Sequence, residues 1–335
     1  KAGLRAIREG GRNMQTLILA LPRSSGLKDE DITLSKNEIM ALSKLVNKSG
    51  DPIKGEMVYR KLELGCVSCH AIGGAGGKVG PDLTSIGASA PLDYLVESIY
   101  YPNRKIKEGY HSVVIETKNN QVLFGMLENQ SENEIFLRDV ANQRSTVLKR
   151  NIRKQTQGKS LMPSGLIDRL AKQDQIDLFA FLSRLGKKGD FDASKGNVAR
   201  VWRLRAANHR DQQFDDNRIA DGGINHKRWT KVNSLVDGTL TDKMLKQGAN
   251  AGRWIGVIGV YAGAEFEVAK AGKVSLIVQG GESAKLWIDG KVVDNSKHIT
   301  SELSSGKHSI VLRFDPKDLP SKVKVSASTG TFLVD

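Results

Sequence analysis

The sequence predicts a multidomain α + β protein: a mainly α domain with a small inserted β-barrel, followed by an antiparallel β-sandwich. Three observations predict this fold class. Apolar residues recur at helical spacing before residue 104 and again after residue 158. Short apolar runs separated by turn-forming residues fill the stretch between. Strand-like runs then continue towards the end of the chain, whose 335 residues suffice for several cores.

Residues 1–50 are expected to form short helices that could end a longer helical array. Two of them are indicated near Leu4 and near Leu17, on either side of a glycine pair. A third is expected from Ser35 to about Asn47, because Ser35 and Glu38 have the spacing of a capping box. Its predicted buried face consists of Ile39, Leu42, Leu45 and Val46.

The segment Cys66-Val67-Ser68-Cys69-His70 has two cysteines three positions apart and a histidine directly after the second. This pattern is typical of haem c attachment, since two thiols can form thioethers with one porphyrin while the adjacent imidazole binds the iron. Redox dithiols and half zinc sites share the C-x-x-C spacing. A cysteine-based zinc site would need further ligands, and the chain has only two cysteines. The sequence therefore predicts one haem c, held by Cys66 and Cys69, with His70 on the iron.

The sixth position of the iron has one leading candidate. Met162 stands in a loop before a helix, and Pro163 restricts it to extended backbone, which helps to direct its side chain. Methionine and histidine together are a common haem c ligand pair. His111 is the main rival. An iron without a sixth protein ligand is the third possibility, and it would favour an enzyme or a sensor of peroxide or a gas.

The predicted haem domain comprises residues 51–104 and 158–190. A helix that begins near Asp51 should lead towards Cys66. The last helix, from Asp174 to about Leu185, has an apolar face at helical spacing. That face should pack against the helix that contains Gly55 and Tyr59.

This part of the chain resembles a class I cytochrome c, and in detail the haem-binding domain family first described in planctomycetes and verrucomicrobia. The matching motifs are Gly55-Glu56, Cys66 to His70, Ile72-Gly73-Gly74, Gly80 to Thr84, Ile86-Gly87, Glu97-Ser98-Ile99, Pro102-Asn103, Gly109-Tyr110 and Ser160 to Pro163. The resemblance implies that the Pro81 carbonyl accepts a hydrogen bond from His70 and that Leu83 packs on the haem face. It also implies electron transfer from a sugar or alcohol dehydrogenase-type partner.

Residues 105–157 interrupt the predicted haem domain. Four short strands are indicated, Val113 to Ile115, Val122 to Leu127, Glu134 to Leu137 and Thr146 to Leu148. Together they resemble a small barrel of the Sm or SH3 class. No aromatic platform accompanies the basic residues, so nucleic-acid binding is not expected. The predicted role is to shield one haem edge or to form a docking face.

Residues 191–335 are predicted to form the β-sandwich. The indicated strands are Ala264 to Val268, Val274 to Val278, Lys285 to Ile288, Lys291 to Val293, His308 to Phe314 and Val323 to Ala327. Asp289-Gly290 predicts a hairpin turn, and the stretch to Trp254 is expected to be mostly loops. The run around Trp287 resembles PA14-like modules. The functional interpretation is binding of a glycan or a partner, with Trp202, Trp229 or Trp254 as stacking platforms. The alternative is that the tryptophans are core residues of a spacer domain, and this is the interpretation favoured for Trp287.

The functional prediction is an electron-transfer protein that is periplasmic or otherwise extracytoplasmic. Its net charge of +14 is compatible with an acidic redox partner, a polysaccharide or anionic lipid. No apolar run approaches the length of a transmembrane segment. Two alternatives remain at this stage: a haem enzyme or sensor with an open sixth site, and a module that tethers a cytochrome to carbohydrate or to a dehydrogenase complex.

Overall fold

The computed structural model describes residues 34–194, 197–211, 216–221, 223–249, 256–294 and 297–334. The chain divides into two compact units. The first takes in residues up to Ile72 together with Gly76–Lys187, and the second takes in Gly73–Ala75 and the chain from Lys188 onward. The helices indicated near Leu4 and Leu17 and the side chain of Trp254 lie outside the described residues.

The first unit contains six described helices. They are α1 (Lys36–Ser49), α2 (Pro52–Tyr59), α3 (Cys66–Cys69), α4 (Ile86–Ser89), α5 (Leu92–Tyr100) and α6 (Lys172–Arg184). The predicted capping box at the start of α1 is confirmed, because the Ser35 side chain accepts from the Glu38 backbone and the Glu38 side chain accepts from the Ser35 backbone. The predicted burial of Leu45 is wrong, since it is 43% exposed.

Helices α2 and α6 pack closely. A Cβ on Gly55 would lie 1.9 Å from the Asp177 carbonyl oxygen, so the two backbones touch at a point that only glycine permits. The rings of Tyr59 and Phe181 are 5.5 Å apart beside it. The Asp51 backbone also donates to the Asp177 carboxylate at 2.9 Å. The predicted contact between these two helices is confirmed.

The inserted stretch forms a five-stranded antiparallel sheet. Its strands are β3 (His111–Thr117), β4 (Val122–Gln130), β5 (Glu134–Arg138), β6 (Arg144–Leu148) and β7 (Ile152–Ser160), after two short strands β1 (Ala71–Ile72) and β2 (Ala75–Gly76). The order is β6-β5-β4-β3-β7. Strands β6 and β7 lie at opposite ends of this order, yet only the 3-10 turn Lys149–Asn151 joins them. The sheet must therefore curl strongly.

The prediction of a mainly helical domain is wrong. Strands make up 36% of the chain against 25% for helices, and the described residues contain no helical core of cytochrome type. Only α1 and α6 among the described helices exceed nine residues. The sequence pattern does not predict strand β7 for a physical reason. Its residues Arg153 to Gln157 are all exposed and lack the apolar alternation that is typical of a strand. This strand also takes residues 158–160 away from the predicted helical part.

The second unit contains two antiparallel sheets. One has the order β14-β13-β16-β11-β8-β9 with β18 on β11, and the other has the order β10-β17-β12-β15. The strands are β8 (Val201–Asn208), β9 (Thr230–Asn233), β10 (Leu240–Thr241), β11 (Val257–Val268), β12 (Gly272–Gln279), β13 (Lys285–Ile288), β14 (Lys291–Val293), β15 (His298–Leu303), β16 (Gly306–Phe314), β17 (Lys322–Ala327) and β18 (Thr331–Phe332). Two short helices, α7 (Asp216–Asp221) and α8 (Asp242–Gly248), complete the unit.

An apolar core lies between these sheets. Leu204, Phe266 and Leu312 contribute to it from the larger sheet, and Leu276 and Val325 contribute from the smaller. The Asp289-Gly290 turn between β13 and β14 is confirmed, and both residues have the positive φ that a tight hairpin requires. The expectation of loops between Trp202 and Trp254 is wrong, because β8, β9, β10 and α8 lie there.

Candidate functional site

The cysteine motif begins at a tight backbone turn. Gly65 has φ +67 and precedes the one-turn helix α3, which contains both cysteines. At its end the His70 N–H donates to the Cys66 carbonyl at 2.8 Å. The following loop returns to the motif, since the Gly77 N–H donates to Val67 and the Gly80 N–H donates to Cys69. These backbone bonds hold the two thiols and the imidazole in one short segment.

Two glycines let the loop lie against the motif. A Cβ on Gly77 would be 1.8 Å from the Ser68 carbonyl oxygen, and one on Gly80 would be 2.5 to 2.9 Å from three atoms of the His70 ring. Both positions therefore exclude any larger residue without rearrangement. Both glycines thus bring the loop backbone against the motif itself. The result is an imidazole enclosed on one side by backbone.

The imidazole of His70 makes the hydrogen bond to the Pro81 carbonyl that the resemblance implies. Its Nδ1 lies 2.7 Å from the Pro81 carbonyl oxygen. A carbonyl can only accept, so Nδ1 is the protonated nitrogen and Nε2 keeps a lone pair for a metal. The Tyr59 hydroxyl donates to the His70 carbonyl at 3.2 Å and fixes the backbone of the same residue. Nearby, the half-buried Leu83 donates from its backbone to Ala71 at 2.8 Å.

Burial sets the protonation of these groups. Burial lowers the pKa of His70, and the hydrogen bond to Pro81 opposes that shift only in part, so the ring is neutral near pH 7. Burial, with a smaller contribution from Cys69, raises the pKa of Cys66 to about 12. Burial likewise raises the pKa of Cys69. Both thiols are therefore protonated, unlike the low-pKa attacking cysteine of a redox dithiol.

The two thiols are free and half-buried. Among the described residues, no three His, Cys, Asp or Glu side chains converge as ligands for one metal ion. A structural zinc site needs such convergence. Haem c does not, because its cysteines bind the edge of the porphyrin while its histidine binds the iron. The donor set of Cys66, Cys69 and His70 thus fits haem c better than zinc.

Met162 lies just after β7, in the loop of residues 161–171. The residue is half-buried, and its N–H donates to the Ser160 hydroxyl at 3.1 Å. Its rival His111 begins β3 and is the strand partner of Ser160. Ser160 therefore links the two candidates for the sixth position, because it pairs with His111 and accepts from Met162.

The inserted sheet also reaches the loop that follows the motif. The Lys78 N–H donates to the side chain of Asn142 at 3.4 Å. Asn142 has φ +62 in the turn between β5 and β6, and the buried Arg138 donates to the same side chain at 2.9 Å. Sequence patterns gave no sign of this contact, because a turn asparagine has no characteristic partner.

The three tryptophans of the second unit that the structure describes are buried. Trp202 is fully buried and Trp229 is 8% exposed, so the expectation that they stack on a ligand is wrong. Trp287 is fully buried, as expected, and its indole N–H donates to Asn217 at 2.8 Å. The neighbouring surface instead has a polar pocket lined by Asn217, Arg218, Asp221, Asp289, Gly290 and Lys291.

Comparisons with known proteins give little help. No protein family matches the sequence, and no curated protein does. An exo-chitosanase of Amycolatopsis orientalis, solved with PNP-beta-D-glucosamine, is 14% identical with a TM-score of 0.28, over 40% of this chain and 21% of its own. An alpha-xylosidase of Xanthomonas citri is 16% identical with a TM-score of 0.17, over 40% of this chain and 16% of its own. The chain spans about a fifth of the length of these proteins, and the alignments are too weak to establish a shared fold.

No described helix is long and apolar enough to cross a membrane.

Proposed function

We propose that this chain is an extracytoplasmic electron-transfer protein that binds one haem c through Cys66 and Cys69, with His70 and Met162 as iron ligands. The observation that carries the proposal is the 2.7 Å hydrogen bond from His70 Nδ1 to the Pro81 carbonyl oxygen, directly after two free thiols. The proposal concerns this segment and does not require a cytochrome fold. Bound haem would supply one-electron exchange.

Five residues have defined roles in this proposal. Cys66 and Cys69 anchor the group covalently, so it cannot dissociate. His70 presents Nε2, because its other ring nitrogen is committed to Pro81. Gly80 leaves room for the ring in that orientation. Met162 supplies a thioether, which raises the reduction potential and keeps small molecules off the iron.

The partner in this proposal is another redox protein. The chain would accept electrons from a dehydrogenase-type donor and pass them on, and its net charge of +14 favours partners with acidic surfaces. Covalent haem attachment would imply a periplasmic or otherwise extracytoplasmic location, because bacteria attach haem c outside the cytoplasmic membrane. Polysaccharide is a weaker candidate, because the three tryptophans of the second unit that the structure describes are buried.

Carbon monoxide binding tests the proposal. The ferrous holoprotein should keep its absorption spectrum when the gas is added, and Met162→Ala should bind the gas. Met57→Ala is the matched control, because this methionine lies on α2 and is 43% exposed. Gas binding by the wild type would favour the enzyme or sensor instead. A chain that emerges from a haem c maturation system without covalent haem would refute the proposal altogether.

A further inference from the structure

The Met162 loop, residues 161–171, has few internal supports. It lies between β7 and α6 and contains no regular helix or strand. Within its second half the Asp168 N–H donates to Gly165 at 3.3 Å and the Leu170 N–H donates to Ile167 at 3.0 Å. A methionine side chain has three rotatable bonds, so a defined thioether position requires a fixed backbone. The constraint on this loop must come largely from outside it.

Gln175 provides one such constraint. It lies on α6 and is only 8% exposed, although its side chain is polar. Its Nε2 donates to the carbonyls of Ile167 and Leu170, at 3.1 and 3.2 Å. Its Oε1 accepts from the Tyr100 hydroxyl at 2.7 Å. A buried amide with every proton and one acceptor engaged rigidifies what it touches, and here it joins the loop to α5.

Asn103 constrains the other end. Its Oδ1 accepts from the Ser160 N–H at 3.0 Å, and the Ser160 hydroxyl accepts from the Met162 N–H at 3.1 Å. Asn103 follows α5 by three residues. The hydrogen bonds of Gln175 and of Asn103 therefore both connect the Met162 loop to one short segment, Tyr100 to Asn103. The loop is thus clamped at both ends against the same part of the first unit.

We propose that Gln175 and Asn103 are positioning residues that hold the Met162 loop so that the thioether stays on the iron. This inference rests on the proposed function. It assigns a role to two amide side chains: that of Gln175 bonds to the loop carbonyls and to Tyr100, and that of Asn103 accepts from the Ser160 backbone. Their removal should leave haem attachment intact and loosen only the sixth ligand.

The decisive comparison is Gln175→Leu against Gln173→Leu. Both glutamines lie on α6 and both use Nε2 as a donor, but Gln173 donates to the Ser49 carbonyl and to Asp177 rather than to the loop. Asn103→Ala tests the hydrogen bond that the Ser160 N–H donates to the Asn103 side chain. The holoproteins would be compared by the rate of carbon monoxide binding to the ferrous form and by amide hydrogen exchange in residues 161–171.

Gln175→Leu should speed gas binding and loop exchange about tenfold, the effect of losing a buried hydrogen-bonded group. Gln173→Leu should stay close to the wild type in both measurements, even where its thermal stability falls. Equal behaviour of the two variants would overturn the positioning role while leaving the haem proposal standing. A wild type without covalent haem, or one whose gas binding is already fast, would overturn the proposed ligand set and this inference with it.

Discussion

The Nδ1 atom of His70 lies 2.7 Å from the carbonyl oxygen of Pro81, eleven residues further along the chain. This bond fixes the tautomer and the orientation of the ring without a bound metal. A hydrogen bond from the other ring nitrogen of a histidine ligand to a carbonyl typically raises the basicity of that ligand and orients it. The adjacent Gly80 lies against the same ring. The loop therefore supplies the hydrogen-bond acceptor and also limits the positions that the ring can adopt.

Gly80→Ala should disturb that arrangement. The new Cβ would be within 2.5 to 2.9 Å of three ring atoms, so the imidazole or the loop must move. We expect a loss of about 1–3 kcal/mol in the free energy of unfolding and a shifted reduction potential with haem still attached. Gly109→Ala is the control, because that position has φ +82 but open space around it. Equal potentials in both variants would contradict the role of the close contact.

Cysteine alkylation in the apoprotein tests the raised thiol pKa. Cys66 has a pKa of about 12, so the thiolate that reacts with iodoacetamide is scarce at neutral pH. At about pH 8 the thiolate fraction of Cys66 should be about two thousandfold lower than that of an unstructured cysteine with a pKa of about 8.5, so we expect a much slower reaction. The rate should rise with pH up to about 12, and in urea it should return to the ordinary value. A folded-state profile that levels off near pH 9 would contradict the raised pKa, and one that levels off at about pH 7 or below would instead indicate a redox dithiol.

Gly55→Ala should separate α2 from α6. Its Cβ would lie 1.9 Å from the Asp177 carbonyl oxygen and 2.7 Å from Phe181, both fixed parts of the opposing helix. We expect a loss of about 3 kcal/mol or more, measured by denaturant unfolding of the first unit. Gly65→Ala serves as a reference, since it has φ +67 without steric contact and should cost about 1 kcal/mol. A smaller effect at Gly55 than at Gly65 would show that the helices can part freely.

His308 should make the second unit less stable as the pH rises. Burial acts to lower its pKa, but hydrogen bonds to the Asp289 carboxylate and the Ser304 carbonyl outweigh burial and raise it. A raised folded-state pKa favours the protonated ring, so the stabilisation is complete below the unfolded value of about 6.5 and is lost as pH passes the folded value. We expect the free energy of unfolding of the second unit to fall across that window.

Tryptophan fluorescence can follow this change selectively, because all four tryptophans lie between residues 202 and 287. His308→Gln should remove most of the pH dependence without changing that of the first unit. An identical slope in wild type and variant would assign the titration to another group.

Strands with a clear apolar pattern were predictable, and polar ones were not. The Asp289-Gly290 hairpin follows from two residues that tolerate positive φ. Strand β8 alternates Trp202 and Leu204 with two arginines, a period of two that is typical of a strand with one buried face. Strand β15 has one buried residue, Ile299, and its place is decided by pairing with β12.

The sequence alone determined the chemistry of the candidate site and several local contacts. Two thiols and an imidazole at fixed spacing, a capping box and a glycine at a helix contact each act within a few residues or through one steric requirement. Only the tertiary structure decided the predominance of strands, the burial of Trp202 and Trp229, and the clamps of Gln175 and Asn103 on the Met162 loop. Strand pairing, side-chain burial and long-range hydrogen bonds depend on partners distant in sequence, and short-range patterns do not encode those partners.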